Sequence, residues 1–191
     1  MRARSPAKSA AARHLSQQQP PSDRQQPPAF LADAMLGSVA RKLRIFGFDT
    51  LYVAHTADDQ VLRMGVEQDR IILTADKEFF KRIVKQGARG VLVGGASDLD
   101  DLAHIFAKVG INSVGVDLGS RCAACNGLLE PRTPAEVSGT VPANVAARHR
   151  EFYQCADCGK IYWDGSHMHR ARAFAGALER RLRAGSAASK G

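Results

Sequence analysis

Two Cys-x-x-Cys pairs constrain this chain more than any other feature. Cys122-Ala-Ala-Cys125 and Cys155-Ala-Asp-Cys158 contain all four cysteines of the 191 residues, and 29 residues separate the pairs. Each pair sets two thiolates on one turn, which covers half of a tetrahedron, so the two together predict one closed, structural Zn²⁺ site with no open position for a catalytic water. Asn126-Gly127 and Gly159-Lys160 follow the pairs and supply the tight turns such knuckles need. The grouping argues against a secreted disulfide framework, and two pairs in a loop-rich region do not fit a thioredoxin-like redox motif. Phe152, Tyr153, Tyr162 and Trp163 gather beside the second pair. At least half of them are needed as the small core of the ribbon, and the rest could stack on RNA bases. His167 and His169 read as surface groups rather than extra ligands.

Upstream of the cysteines the pattern is a different one. Short Val-, Ile- and Leu-rich runs over residues 29–32, 50–54, 70–74, 90–94 and 112–116 predict buried strands. Amphipathic segments lie between them. One, over about 35–46, places Leu36, Val39, Ala40 and Leu43 at helical spacing and stops at Gly47; another starts at a Ser97/Asp100 capping box and closes at Gly110. Strand and helix in alternation predict an α/β domain with a mostly parallel sheet and helices on its faces. The expected organisation is therefore a disordered Pro- and Gln-rich arm over 1–28, an α/β domain over 29–118, a zinc ribbon over 119–169 and a basic helix or tail over 170–191.

No run approaches the ~20 apolar residues that a bilayer span requires, so no membrane role is expected, and the cytoplasm is the expected location. The net charge of +8 points to an anionic partner, but its placement is uneven. Residues 1–24 carry +4 and residues 170–191 carry +5, which leaves the stretch between them at −1. Phosphate attraction is expected to come from the two ends.

The acids of that middle stretch fall at strand-to-helix junctions. Asp33 follows the first strand, Asp58 and Asp59 the second, and Asp76 the third. In a parallel sheet those junctions share the carboxyl edge, where open α/β folds bind ligands. Taken singly, each Asp is explained as a helix N-cap. Three carboxylates on one edge repel unless a cation sits among them, and hard oxygen ligands suit Mg²⁺ or Mn²⁺, ions that activate water for attack on a phosphodiester. Arg41 and Arg44 lie three apart on the first predicted helix, on or near one face, and Lys77 adjoins Asp76, so they could hold the phosphates of RNA, although each alone is an ordinary solvated helix charge.

Several of these motifs occur together in a known family. The segment from Phe30-Leu-Ala-Asp33-Ala-Met-Leu-Gly37 through Arg41-Lys-Leu-Arg44-Ile-Phe-Gly47-Phe-Asp49-Thr50 resembles the Mut-seven C-terminal RNase domain family. So do Arg70-Ile-Ile-Leu-Thr74-Ala-Asp76, the two cysteine pairs and Tyr162-Trp-Asp-Gly-Ser-His167. The resemblance implies a PIN-like three-layer α/β/α domain followed by a small zinc ribbon, and metal-dependent hydrolysis of RNA. It places Asp33 first and Asp76 later among the catalytic acids, with Asp58, ahead of its neighbour Asp59, between them. It implies RNA as partner and pairing of two copies as a homodimer. A fourth acid is left open among Asp98, Asp100, Asp101 and Asp117, and Ala75 stands where the family tends to carry a basic residue. The competing expectation is a noncatalytic zinc-ribbon protein that binds RNA or the ribosome, its aspartates acting only as caps. A phosphoaspartate enzyme fits poorly, because Asp33-Ala-Met-Leu lacks a second Asp two residues on.

Overall fold

In the computed structural model of the protein, which describes residues 27–114 and 119–188, four of the apolar runs pair as one parallel sheet. The strands are β1 (Phe30–Ala32), β2 (Thr50–Tyr52), β3 (Ile71–Thr74) and β4 (Gly90–Leu92), in the order β2-β1-β3-β4. Phe30 stands opposite Thr50 on one side and Ile71 on the other, and Ile72 opposite Gly90. A parallel sheet is covered on both faces, which is why β1 is apolar throughout, β3 is apolar up to its last residue Thr74, and both are buried along their whole length.

Successive side chains feed two separate cores. Phe30, Ala32, Ile71 and Leu73 point to one face, where they meet α1 (Gly37–Ile45), α4 (Asp98–Val109) and the long C-terminal α7 (Ser166–Ala188). Leu31 and Ile72 point to the other, against Val61 of α2 (Asp58–Glu67) and Phe79 and Ile83 of α3 (Lys77–Lys85). The result is the expected three-layer α/β/α arrangement. Gly65 lets α2 lie directly on β3, since a Cβ there would come within 2.5 Å of Ile72. At the start of α4, Ser97 Oγ accepts from the Asp100 amide at 3.2 Å, and Gly110 closes the helix at φ 76°.

Two expectations for this part need correction. Residues 112–114 form no fifth strand, and residues 115–118, with Asp117, lie outside the described residues. Val114 is instead drawn into the core beside α7, its N–H directed to Glu179 Oε1 at 3.5 Å. The basic C-terminus is the expected helix, but it is packed on the domain rather than free. Ala175, Leu178 and Leu182 recur at helical spacing and are buried in the main core, while the neighbouring arginines 172, 180, 181 and 183 stay exposed. The ring of Phe174 stacks on Phe46 at 6.1 Å. The expected arm over 1–28 falls almost wholly outside the described residues.

The cysteine region is a second, antiparallel sheet in the order β5 (Leu129–Arg132), β6 (Phe152–Cys155), β7 (Ile161–Trp163). Two short helices, α5 (Pro134–Val137) and α6 (Ala143–Arg148), occupy the interval between β5 and β6. A Thr133/Glu136 capping box with Pro134 in the first turn starts α5. Leu129 stands opposite Cys155, which brings the two cysteine pairs to the same end of the sheet.

Candidate functional site

The four thiols converge. Their sulfurs all lie within 4.8 Å of one another, and no other group of three or more His, Cys, Asp or Glu does so among the described residues. Cys122 Sγ is 3.7 Å from Cys158 Sγ and Cys125 Sγ is 3.3 Å from Cys155 Sγ. A tetrahedron with Zn–S bonds of ~2.3 Å has edges of about 3.8 Å, whereas a disulfide needs ~2.05 Å, so the cluster has the dimensions of a Cys₄ zinc site.

Two knuckles build it. Asn126 adopts φ 80° and its N–H donates to Cys122 O at 2.9 Å, while the Cys122 N–H donates to Gly127 O at 2.8 Å. A Cβ on Gly127 would lie 2.8 Å from Cys155 Sγ, so only glycine lets the knuckles close. In the second knuckle the Gly159 N–H donates to Cys155 O at 3.0 Å. Burial pushes the Cys122 thiol up, but a hydrogen bond with the Tyr162 hydroxyl at 3.1 Å and backbone N–H groups bring it down to about 6. The Gly127 N–H favours a Cys125 thiolate, yet burial and the other three thiols push it up to about 12. Four crowded thiols resist joint ionisation unless a divalent cation neutralises them, which is the chemistry of a zinc site. His167 and His169 take no part in the cluster.

A buried polar seam fastens the first knuckle to the α/β domain. Arg44, expected at RNA phosphates, is only 7% exposed and faces inward. Its Nε donates to Thr50 O at 2.8 Å and its Nη1 to Ala124 O at 2.9 Å and Ala123 O at 3.4 Å, so its charge is spent on carbonyls of β2 and the knuckle. Asn126 answers from the other side: its Oδ1 accepts from the Thr50 amide at 2.9 Å and its Nδ2 donates to Asp49 Oδ1 at 2.8 Å. Asp49 also receives Arg70 Nη1 at 2.7 Å and faces Arg121 at 3.7 Å. Burial would raise the Asp49 carboxyl, but the bonds from Arg70 and Asn126 hold it below its ordinary value.

At the carboxyl edge of the parallel sheet, two of the three expected acids are tied together. Thr74 Oγ1, on fully buried β3, donates to Asp33 Oδ2 at 2.9 Å and accepts from the Asp76 amide at 3.0 Å. Asp33 Oδ1 accepts from the Ala34 amide at 2.6 Å, which starts the 3₁₀ turn (Ala34–Leu36) that leads into α1. Asp76 Oδ1 caps α3 through the amides of Glu78 and Phe79 at 2.7 and 3.0 Å. Only one Asp76 oxygen is used in this way. Asp58 is held elsewhere: Arg82 of α3 donates to Asp58 Oδ2 at 2.9 Å and also pairs with Asp59.

Of the open choices for a further acid, Asp98, Asp100 and Asp101 sit near the start of α4, and Asp117 lies outside the described residues. Asp98 accepts from Ser38 Oγ at 2.6 Å and pairs with Lys42. Burial would raise its carboxyl, but Lys42 and Ser38 hold it below the ordinary value. Asp100 bonds Ser97 and Arg181, and Asp101 accepts from the Gly95 amide. Arg41 and Lys77 are exposed, with no ion pair among the described residues. The roles of Thr74, Asn126, Arg82 and Tyr162 rest on contacts from 20 to 80 positions away in sequence. Of these, only the Thr74-x-Asp76 spacing leaves a local trace.

A family model described as the Mut7-C RNAse domain matches residues 28–175, which includes both the carboxyl edge and the cysteine cluster. Comparison with curated proteins and with solved structures finds no match.

Proposed function

The chain belongs to the Mut7-C RNAse domain family, and on that premise we propose that it is a metal-dependent endoribonuclease acting at the carboxyl edge of its parallel sheet. The observation that carries the reading is the Thr74 bridge, whose hydroxyl bonds the Asp33 carboxylate and the Asp76 amide just past the ends of the adjacent strands β1 and β3. The donor set fits a hard cation: carboxylate oxygens, one of them on Asp76 outside the capping bonds. Asp33 and Asp76 would hold Mg²⁺ or Mn²⁺, and Asp58, on the same edge, joins them as third carboxylate once it leaves Arg82. When bound, such an ion lowers the pKa of water and offsets charge developing on the phosphodiester.

The chain's own side chains do the remaining work in this reading. The Thr74 hydroxyl fixes the Asp33 carboxylate, and the cap at α3 fixes Asp76, so neither has to reorganise when substrate arrives. Arg41 and Lys77 hold flanking phosphates as exposed cations. The Cys₄ cluster with Zn²⁺ keeps the ribbon folded, and the half-buried Tyr162 and Trp163 and the exposed Tyr153 give that ribbon a surface for RNA. RNA is the partner, the cytoplasm the location and a homodimer the assembly of this reading.

The cap at Asp76 and the Arg82 pair at Asp58 favour a second reading, a noncatalytic RNA- or ribosome-binding protein whose acids only stabilise helices. Labelled RNA incubated with the purified protein separates the two. Cleavage by the zinc-loaded protein that requires added Mg²⁺ or Mn²⁺ and is abolished by Asp33→Asn supports the nuclease; retention of RNA without cleavage in either ion rejects it.

A further inference from the structure

We infer that the cleft beside Asp76, between α3 and α4 along the open edge of β4, holds the nucleotides of single-stranded RNA that flank the cleaved phosphate. This inference rests on the ribonuclease reading and extends it to a substrate subsite. β4 has a sheet partner on only one side among the described residues, and a cleft of about 770 Å³ lies on its other side. Its volume is within the range of small-ligand sites. Ala75 and Lys77, the two sequence neighbours of Asp76, line it.

Its walls have the chemistry of a single-strand groove. Along α4, Asp100, His104 and Lys108 recur every four residues and so face the cleft in one row. From residue 100 to residue 108 this row spans roughly 12 Å, enough for about three stacked nucleotides at ~3.4 Å each. Across from it, α3 contributes Lys77 and the half-buried ring of Phe80, and the floor is apolar, with Val91 and Val93. An aromatic face with cations on both sides is the arrangement that stacks a base and tracks its backbone.

The charge balance favours a polyanion. Lys77 and Lys108 are exposed and have no ion pair among the described residues. The acid in the row, Asp100, is already matched by Arg181 at 3.2 Å and by Ser97. The cleft therefore offers two uncommitted cations and a ring, with both sequence neighbours of Asp76 in its wall, although the stretch between the basic ends of the chain is slightly acidic.

The test is fluorescence anisotropy of a labelled 12-nucleotide oligouridine with the full, zinc-loaded chain in buffer free of Mg²⁺ and Mn²⁺, so that binding is read without cleavage. Lys108→Gln is expected to weaken binding several-fold and to reduce the slope of log affinity against log salt by about 0.7, the value for one single-strand phosphate contact. Phe80→Leu, checked for native ellipticity, is expected to weaken binding about tenfold with the slope unchanged. Lys85→Gln, at the end of α3 and outside the cleft, should leave both quantities at the wild-type values. No binding by the wild type, or equal effects of Lys108→Gln and Lys85→Gln, overturns the inference. Cleavage by the wild type with unchanged binding by both cleft variants removes the cleft and leaves the nuclease. Weakened binding by the cleft variants in a protein that never cleaves removes the nuclease and keeps the cleft.

Discussion

Replacing Arg44 tests whether it is a seam residue or a phosphate ligand. Arg44→Met keeps most of the aliphatic stem and removes the guanidinium, along with the bonds to Thr50 O at 2.8 Å and Ala124 O at 2.9 Å and the longer one to Ala123 O. A hydrogen bond to a charged group contributes about 1.5–3 kcal/mol, and the Thr50 carbonyl left behind is buried, whereas that of the exposed Ala124 is not. Two good bonds give an expected loss of about 4 kcal/mol. For a chain of this length 1 kcal/mol moves Tm by about 2–4 °C, so the midpoint should fall by about 8–16 °C. Arg44→Lys keeps the charge but not the fork and should lie between. Thermal melts followed by far-UV ellipticity, with zinc present, measure this directly. A fall of less than about 3 °C for Arg44→Met, together with weaker RNA binding, would refute the seam and restore Arg44 to the RNA surface.

Metal analysis after exhaustive dialysis should find about one Zn²⁺ per chain, and Cys122→Ser should abolish it, since all four sulfurs form one site. Acid unfolding should be sensitive to Asp49. Its folded pKa lies below the ordinary 3.8, so its contribution is full above that pH and is lost as pH falls through the lower folded value; Asp49→Asn should flatten this acid limb of the stability curve. Leu178→Ala should cost about 2–5 kcal/mol in denaturant melts, because Leu178 is fully buried in the main core. Removal of residues 1–26 should reduce RNA affinity and its salt slope while leaving the zinc content unchanged, and equal slopes would show that the basic arm does not touch RNA.

Much of this was legible because the signals are local. The continuous apolar runs at β1 and β3 encode burial on both faces, the aspartates mark the strand-to-helix junctions, and each Cys-x-x-Cys pair carries its own turn. What escaped depends on partners distant in sequence. Nothing near Arg44 shows that carbonyls at 123 and 124 will receive it, and Asp58 reads as a free acid until α3 places Arg82 against it. The stripe of Ala175, Leu178 and Leu182 is narrow and set among arginines, so it resembles a solvated helix until α4 and the sheet cover it. Val114 has the apolar character of a strand residue, but its burial comes from α7 rather than from a ladder.

In the proposed nuclease, Asp33 and Asp76, linked through Thr74, form a metal-dependent catalytic edge. Single-turnover cleavage of end-labelled RNA across a Mn²⁺ titration tests it most directly, comparing the wild type with Asp76→Asn. The account predicts saturable, Mn²⁺-dependent cleavage by the wild type and a loss of at least about a hundredfold in Asp76→Asn, whose α3 cap an asparagine still satisfies. Equal rates for the two proteins, or no cleavage by the wild type at any Mn²⁺ concentration, would contradict it.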